Sequence, residues 1–365
     1  MSPSTTYENV IVTCDITDKK LKEIEKVYKN VSFYPGEKSN DIPKDVLEKV
    51  DIWYTNWLGL PKSIGSLNQI PNTKVLQLSS AGANIALSTE IMKTDQARKQ
   101  IKVCSASGMH VLSIPQYIVA NVINLYMKLQ IQFHIARTQA TWPKRDQVVK
   151  ECGASGEAFP GNRSVMGKTV GLLGYGHIAR ETARLFKAFN CKIIAANSKG
   201  DRRAEDGYRI SGTGDADGSI PDEFYSTNDE KSFSTFLSQC DILVASLPST
   251  PQTTWMITQK HLESLPKGAI FCNVGRGDLV KSEHILNALD SPSSGLWGAI
   301  LDVTDPEPLT DNHPLFKHSN VIVTPHTSGS FEGYFDSGAD ILIAQYENLK
   351  NGKQPMNIVD PVKGY

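Results

Sequence analysis

Three short segments in the last third of the chain each follow a β-like apolar run with a polar residue that can bind or move charge. In Asn273-Val-Gly-Arg276-Gly277 a guanidinium sits between glycines. In Asp302-Val-Thr-Asp-Pro-Glu307-Pro-Leu309 a carboxylate sits between two prolines. In Thr324-Pro-His326-Thr-Ser-Gly329 an imidazole follows a proline. A guanidinium is always charged and forked, which suits an anion. An imidazole, with an ordinary pKa of about 6.5, gives or takes a proton near neutrality. Taken singly, the three read as easily as a structural ion pair, a loop charge and a surface imidazole. Ligands of open α/β sheets bind at the carboxyl ends of the strands, so three such residues in succession point to one crevice.

Upstream, Thr169-Val-Gly-Leu-Leu-Gly174-Tyr175-Gly176-His177-Ile178-Ala179 runs from a strand pattern through a G-x-G-x-x-A turn into a helix pattern. Gly174 permits the tight turn. Gly176 lets backbone N–H groups approach a pyrophosphate, and Ala179 lets the helix pack closely on the strand. The helix N-terminus adds partial positive charge. The expectation is a dinucleotide site, and the alternative is a tight turn without a ligand. In NAD sites an acidic residue about 20 positions on holds the ribose hydroxyls. Here Asn197 stands 23 positions after Gly174, followed by Ser198, Lys199, Arg202 and Arg203. Asn does not repel a 2′-phosphate, and the cations attract it. NADP is therefore expected, with NAD as the second choice. A solvated loop would explain the cations but not the missing acid.

These residues need elements to hold them. Strand-like runs recur at Val10–Thr13, Val31–Tyr34, Asp51–Thr55, Lys74–Leu78 and Ile101–Cys104. A second set follows at Thr169–Leu173, Lys192–Ala196, Asp241–Leu247, Ala269–Val274, Trp297–Asp302 and Val321–Thr324. Helical patterns cover Asp18–Lys29, His177–Asn190, Gln259–Leu265 and Ser282–Asp290. Alternating strands and helices predict α/β architecture with parallel, doubly wound sheets. The second set is nearly continuous in apolar residues, so its strands should be buried on both faces. The first set is more polar and suggests a smaller sheet. Ile118, Val122, Leu125, Leu129 and Phe133 mark one face of a helix over Pro115–Thr138 that leads into the second domain, and Ala339–Lys350 predicts a returning helix. The expected domains are 1–108 with 331–365, and an inserted 109–330. Asp201–Asp229, which contains Ser211-Gly-Thr-Gly-Asp-Ala-Asp-Gly218, reads as a long loop. Such loops are uncommon unless functional or flexible.

Composition narrows the targets. The 365 residues carry 38 Lys and Arg against 39 Asp and Glu, for a net charge of -1, so no global field draws nucleic acid or an anionic membrane. Polar residues interrupt the apolar stretch Ile118–Ile135 and argue against a membrane span. Met1–Val12 lacks the pattern of a secretory signal, and Lys363-Gly364-Tyr365 matches no common address. The six cysteines form no CxxC pair, which argues against zinc and disulfides; most read as small buried hydrophobes. No metal is expected, and a reducing, cytoplasmic setting fits.

From about Val75 to Gly329 the chain resembles the D-isomer-specific 2-hydroxyacid dehydrogenase family. The resemblance rests on Leu247-Pro-Ser-Thr-Pro-Gln-Thr-Thr, Leu265-Pro-Lys-Gly-Ala-Ile-Phe and Asn273-Val-Gly-Arg-Gly. Within that family it looks most like NADP-dependent glyoxylate/hydroxypyruvate or broader 2-ketoacid reductases. The resemblance implies a Rossmann-type cofactor domain inserted into a smaller flavodoxin-like substrate domain, with hinges near Ser107 and Ser328 and a cleft that closes. It implies a homodimer, formed through the cofactor domain. His326 would be the general acid, Glu307 would fix its tautomer and favour the protonated ring, and Arg276 would bind the substrate carboxylate. Gly174, Tyr175, Gly176, His177, Ile178, Asn197, Ser198, Lys199, Arg202, Leu247, Pro248, Thr253, Val274, Gly275, Arg276, Asp302, His326, Ser328 and Gly329 would line the cofactor. Asp302 would anchor the nicotinamide carboxamide. Ala81 and Gly82, in the loop Ser80–Asn84, would meet the substrate with Arg276 and His326. Trp53 and Trp57 lie where the family builds its side-chain pocket, although core packing explains them as well. The chain departs from the family at Asn84, commonly Asp, and at Pro115-Gln116, where an acid is usual. Formate dehydrogenases carry Gln at the position of Glu307, which argues against formate oxidation. A non-enzymatic, dinucleotide-sensing corepressor-like protein on the same fold is the alternative.

Overall fold

A computed structural model describes residues 7–361 of the protein. Met1–Thr6 and Val362–Tyr365, with the leader and address readings that fall on them, lie outside the described residues. Two compact units divide the chain. The first takes the described residues up to His110, Asp206–Ile210, and those from Phe331 onward. The second takes Val111–Glu205 and Ser211–Ser330.

The first unit holds five parallel strands: β1 Asn9–Val12, β2 Asn30–Phe33, β3 Ile52–Thr55, β4 Val75–Leu78 and β5 Lys102–Cys104. Their order is β2-β1-β3-β4-β5, the flavodoxin-like arrangement. This is the smaller of the two sheets, as its more polar strands suggested, yet β3 and β4 are buried throughout. Ile11, Trp53, Leu76 and Leu78 fill one face, while Val10, Val12, Ile52, Tyr54 and Val75 fill the other. Only the edge strands β2 and β5 keep exposed residues. The closing helix is Tyr334–Lys350, which starts five residues before the predicted Ala339.

The second unit holds seven parallel strands: β6 Thr169–Leu173, β7 Lys192–Asn197, β8 Glu223–Ser226, β9 Ile242–Ala245, β10 Ala269–Asn273, β11 Leu296–Leu301 and β12 Val321–Val323. Their order is β12-β11-β10-β9-β6-β7-β8, doubly wound about β6. Alternate residues feed opposite cores. Val170, Ile193, Ile242, Val244 and Ile270 pack on one face, and Leu173, Ile194, Leu243, Ala245 and Phe271 on the other. This is why the sequence runs are continuous rather than alternating.

Two elements differ from their sequence reading. The Asp201–Asp229 stretch is not all loop, because Glu223–Ser226 pairs with β7 as an edge strand. The predicted Pro115–Thr138 helix is two helices, Ile114–Met127 and Leu129–Gln139, broken at Lys128 with φ 54°. Asn124 Oδ1 accepts the Gln130 N–H across the break, and Lys128 Nζ donates to the Gly161 carbonyl at 2.6 Å. Among the described residues no helix is long and apolar enough to cross a membrane. All six cysteines are free and buried.

Candidate active site

The glycine turn joins β6 to the helix His177–Lys187. Gly174 adopts φ 86°, and a Cβ there would lie 2.8 Å from the Leu247 side chain. That left-handed turn and close approach require glycine. Gly176 is the helix N-cap and makes no side-chain capping bond. A Cβ on Gly176 would meet open space. The first-turn N–H groups are therefore left for an external acceptor, which suits a dinucleotide phosphate. Tyr175 donates its O–H to Asp215 Oδ2 at 2.6 Å, beneath the guanidinium of Arg180. Burial and Asp215 hold that phenol well above its ordinary range. Tyr175 and Ile178 pack on the sheet, and His177 Nε2 lies 3.7 Å from Glu205 Oε1.

At the end of β7, Asn197 shapes its own loop. Its Oδ1 accepts the N–H groups of Lys199 and Gly200, and its Nδ2 donates to the Asp201 carbonyl. Arg202 is paired with Asp217 at 2.6 Å, and Arg203 with Asp201 at 3.1 Å. Among the described residues, the side chains of Ser198 and Lys199 have no protein partner. The cluster of cations read from the sequence is thus unequal, because two are matched by carboxylates and Lys199 is not.

The loop after β10 carries Arg276. Asn273 Oδ1 accepts the Gly275 N–H, and Asn273 Nδ2 donates to the Arg276 carbonyl. A Cβ on Gly277 would come within 1.8 Å of the Thr304 carbonyl oxygen. Only glycine lets this loop press against the one that follows β11. Burial lowers the Arg276 pKa, opposed by Glu307 and Asp278. The guanidinium remains charged at neutrality. Leu247 lies between the Gly174 and Gly275 turns, and Val274 is buried in the core. Thr253 Oγ1 donates to the Pro248 carbonyl at 2.7 Å, so this hydroxyl serves its own loop.

After β11 and β12 the remaining groups meet. The His326 Nδ1–H donates to Glu307 Oε1 at 2.7 Å. About half of each side chain is exposed. His326 sits at φ 54°, with its N–H bonded to the carbonyls of Asp302 and Thr324. Asp302 holds that turn. Its buried carboxylate accepts Thr324 Oγ1–H at 2.6 Å, Thr327 N–H at 2.9 Å, and both the N–H and O–H of Ser328. A carboxamide on Asp302 would have to share an oxygen with these donors. The Ser328 carbonyl accepts from Ser113 Oγ, so Ser328 is fully engaged and Gly329 follows it directly. Asp302 as the holder of the His326 turn was not read from the sequence. The spacing Asp302–Thr324–Ser328 carries no local signal, since β12 brings the segments together.

The first unit carries the other candidates. Ser80 Oγ–H donates to the Gly82 carbonyl, which curls the loop bearing Ala81 and Gly82. Asn84 opens the short helix Asn84–Leu87. Trp53 is fully buried and donates to Thr73 Oγ1 at 3.0 Å, so it is core rather than pocket. Trp57 is exposed.

A family model described as D-isomer specific 2-hydroxyacid dehydrogenase, NAD binding domain, matches residues 131–328, more than half of the chain. An uncharacterised Corynebacterium melassecola protein from the proB 3′ region is 28% identical over 308 residues, covering 82% of this chain and 88% of that one. A D-isomer specific 2-hydroxyacid dehydrogenase family protein from Aeromonas salmonicida superposes with TM-score 0.73 at 20% identity, covering 98% of this chain and 100% of the other. An NADPH-dependent glyoxylate/hydroxypyruvate reductase from Sinorhizobium meliloti, solved with NADP and sulfate, superposes with TM-score 0.68 at 20% identity, covering 98% and 100%.

Proposed function

Because this chain belongs to the D-isomer specific 2-hydroxyacid dehydrogenase family, an NAD(P)-dependent group of oxidoreductases, we propose that it reduces small 2-ketoacids to D-2-hydroxyacids with NADPH. Glyoxylate and hydroxypyruvate are the first substrates to test, then bulkier 2-ketoacids. The observation that carries the reading is the 2.7 Å bond between His326 Nδ1 and Glu307. It leaves Nε2 as the ring nitrogen that meets substrate. The S. meliloti reductase, by its description NADPH-dependent, supports the cofactor choice.

When bound, the nicotinamide would supply the hydride to the carbonyl carbon. His326 donates a proton from Nε2 to the keto oxygen, so the C=O becomes a C–H and an O–H. Glu307 fixes the tautomer and offsets the charge of the imidazolium before transfer. Arg276 pairs with the substrate carboxylate and polarises the carbonyl. Gly174, Gly176 and the first-turn N–H groups hold the pyrophosphate. Ser198 and Lys199 receive the 2′-phosphate, the role first expected to be shared with Arg202. In the first unit, the N–H groups of the Ala81-Gly82 loop are assigned to a carboxylate and Trp57 to the substrate side chain. The protein is proposed to act as a homodimer.

The test is a panel of 2-ketoacids with NADPH and with NADH, followed by nicotinamide absorbance. Turnover of at least one 2-ketoacid, faster with NADPH, is the expected result. Nucleotide binding without turnover of any would overturn the reading.

A further inference from the structure

Trp255 is not among the groups assigned above, yet it is hydrogen-bonded to the loops that carry Arg276 and Glu307. It adopts φ 52°, a left-handed conformation rare for a bulky aromatic. A backbone outlier of this kind persists only where its surroundings over-determine it. Here the determinants are identifiable. The Trp255 backbone N–H donates to the Asp278 carbonyl at 2.6 Å. Asp278 is two residues after Arg276, and its carboxylate accepts from Ser249 Oγ at 2.5 Å and Thr254 Oγ1 at 3.4 Å. The indole Nε1–H donates to Asp305 Oδ2 at 2.8 Å. Asp305 is two residues before Glu307, and its carbonyl accepts the Ser282 N–H at 3.4 Å. The Lys281 ammonium lies over the indole ring, 4.8 Å from its centroid. The ring is nevertheless half exposed, so core packing does not account for its position.

We propose that Trp255 is a positioning residue for the Glu307–His326 pair: its main chain is tied to the Arg276 loop, and its indole N–H holds Asp305 and with it the loop that delivers Glu307. The proposal rests on the assignment of Glu307 and His326 in the preceding section. A carboxylate 42% exposed on a loop needs such a brace to keep a 2.7 Å bond to an imidazole. Without it the loop samples other positions and the neutral ring loses the partner that selects its Nδ1–H tautomer.

Three variants separate the brace from general packing. Trp255→Phe keeps a ring and removes the N–H. Asp305→Ala removes the acceptor, and Asp305→Asn keeps an acceptor oxygen. Two readouts are taken on each: kcat and KM with the best 2-ketoacid of the panel, and the His326 ring tautomer from long-range ¹⁵N–¹H NMR, with the signal assigned by its loss in His326→Gln. Trp255→Phe and Asp305→Ala should lower kcat about tenfold to a hundredfold with KM for the nucleotide unchanged, and should move the neutral ring toward Nε2–H. Asp305→Asn should stay close to the parent, and combining Trp255→Phe with Asp305→Ala should add little. Parent-like kcat and tautomer in Trp255→Phe would overturn the proposal. If that variant does not fold, a loss in Asp305→Asn as large as in Asp305→Ala overturns it instead. If the unaltered protein turns over no 2-ketoacid, the tautomer comparison alone still decides the brace.

Discussion

His326 stands at φ 54°, where the chain must turn sharply after Pro325, and Asp302 accepts the N–H groups of the two residues beyond it. The imidazole is thus presented by a backbone loop rather than by packing around the ring. In the proposed reaction, His326→Gln should lower kcat by about 10²- to 10⁴-fold, the usual contribution of a general acid. The nucleotide dissociation constant, measured by fluorescence titration, should stay within about twofold. A collapse of nucleotide binding would mark the residue as structural. Lys199 makes the complementary case. Arg202 and Arg203 already have carboxylate partners, so the proposed preference for NADPH should depend on Lys199. Lys199→Ala should weaken NADPH binding about tenfold to a hundredfold and leave NADH binding unchanged, since a charge-assisted contact contributes about 1.5–3 kcal/mol. Equal loss for both nucleotides would count against a 2′-phosphate contact. The residue types and the order Arg276, Glu307, His326 were legible in the sequence. That Lys199 differs from its neighbours was not, because Asp217 lies 15 positions after Arg202.

At the scale of elements, the continuous apolar runs foretold β6, β7, β9, β10 and β11 because double burial leaves no polar alternation. β8 escaped that reading. Glu223-Phe-Tyr-Ser follows a Gly- and Asp-rich stretch, and its extended form depends on pairing Ile194 to Glu223 through Asn197 to Ser226. The helix break at Lys128 also lacked a Gly or Pro signal; side-chain bonds from Asn124 and Lys128 set it. The glycine turn is the element most fully encoded locally. Gly174→Ala should cost about 1–2 kcal/mol from the left-handed backbone alone, with more from the Leu247 contact. It should also weaken binding of the nucleotide. Urea unfolding with and without NADPH checks both, and an unchanged midpoint would contradict the geometry at Gly174.

Over the whole molecule, the chain passes between its two units at 110/111, 205/206, 210/211 and 330/331. Residues 206–210 belong to the first unit although their neighbours on both sides belong to the second. There the Tyr208 N–H donates to Asn357 Oδ1, and its ring packs with Met109, Phe331 and Tyr334. Burial also sets the alkaline limit. The Cys14 and Cys104 thiols are pushed up to about 12 and Cys191 to about 11, from 9.0, and the Tyr126 and Tyr334 phenols are pushed to about 12 from 10.0. Below pH 9 the folded and unfolded chains both hold these protons. Above it the unfolded chain releases them first, so stability should fall as pH rises from 9 toward 12. Urea midpoints at pH 7 and 9 should be close, and those at pH 10 and 11 should decline in that order. A flat series would show that these groups are open to solvent.

The sequence by itself determined the α/β class, the glycine turn and the candidate residues Arg276, Glu307 and His326, since periodicity, glycine placement and residue chemistry are local properties. Tertiary structure alone decided which polar groups are spent on the fold. Asp302 is committed to the turn of His326, Asn197 to its own loop, and Trp53 to the core. Each of these outcomes depends on a partner brought close by the fold or on burial against other elements, and no spacing along the chain records that encounter.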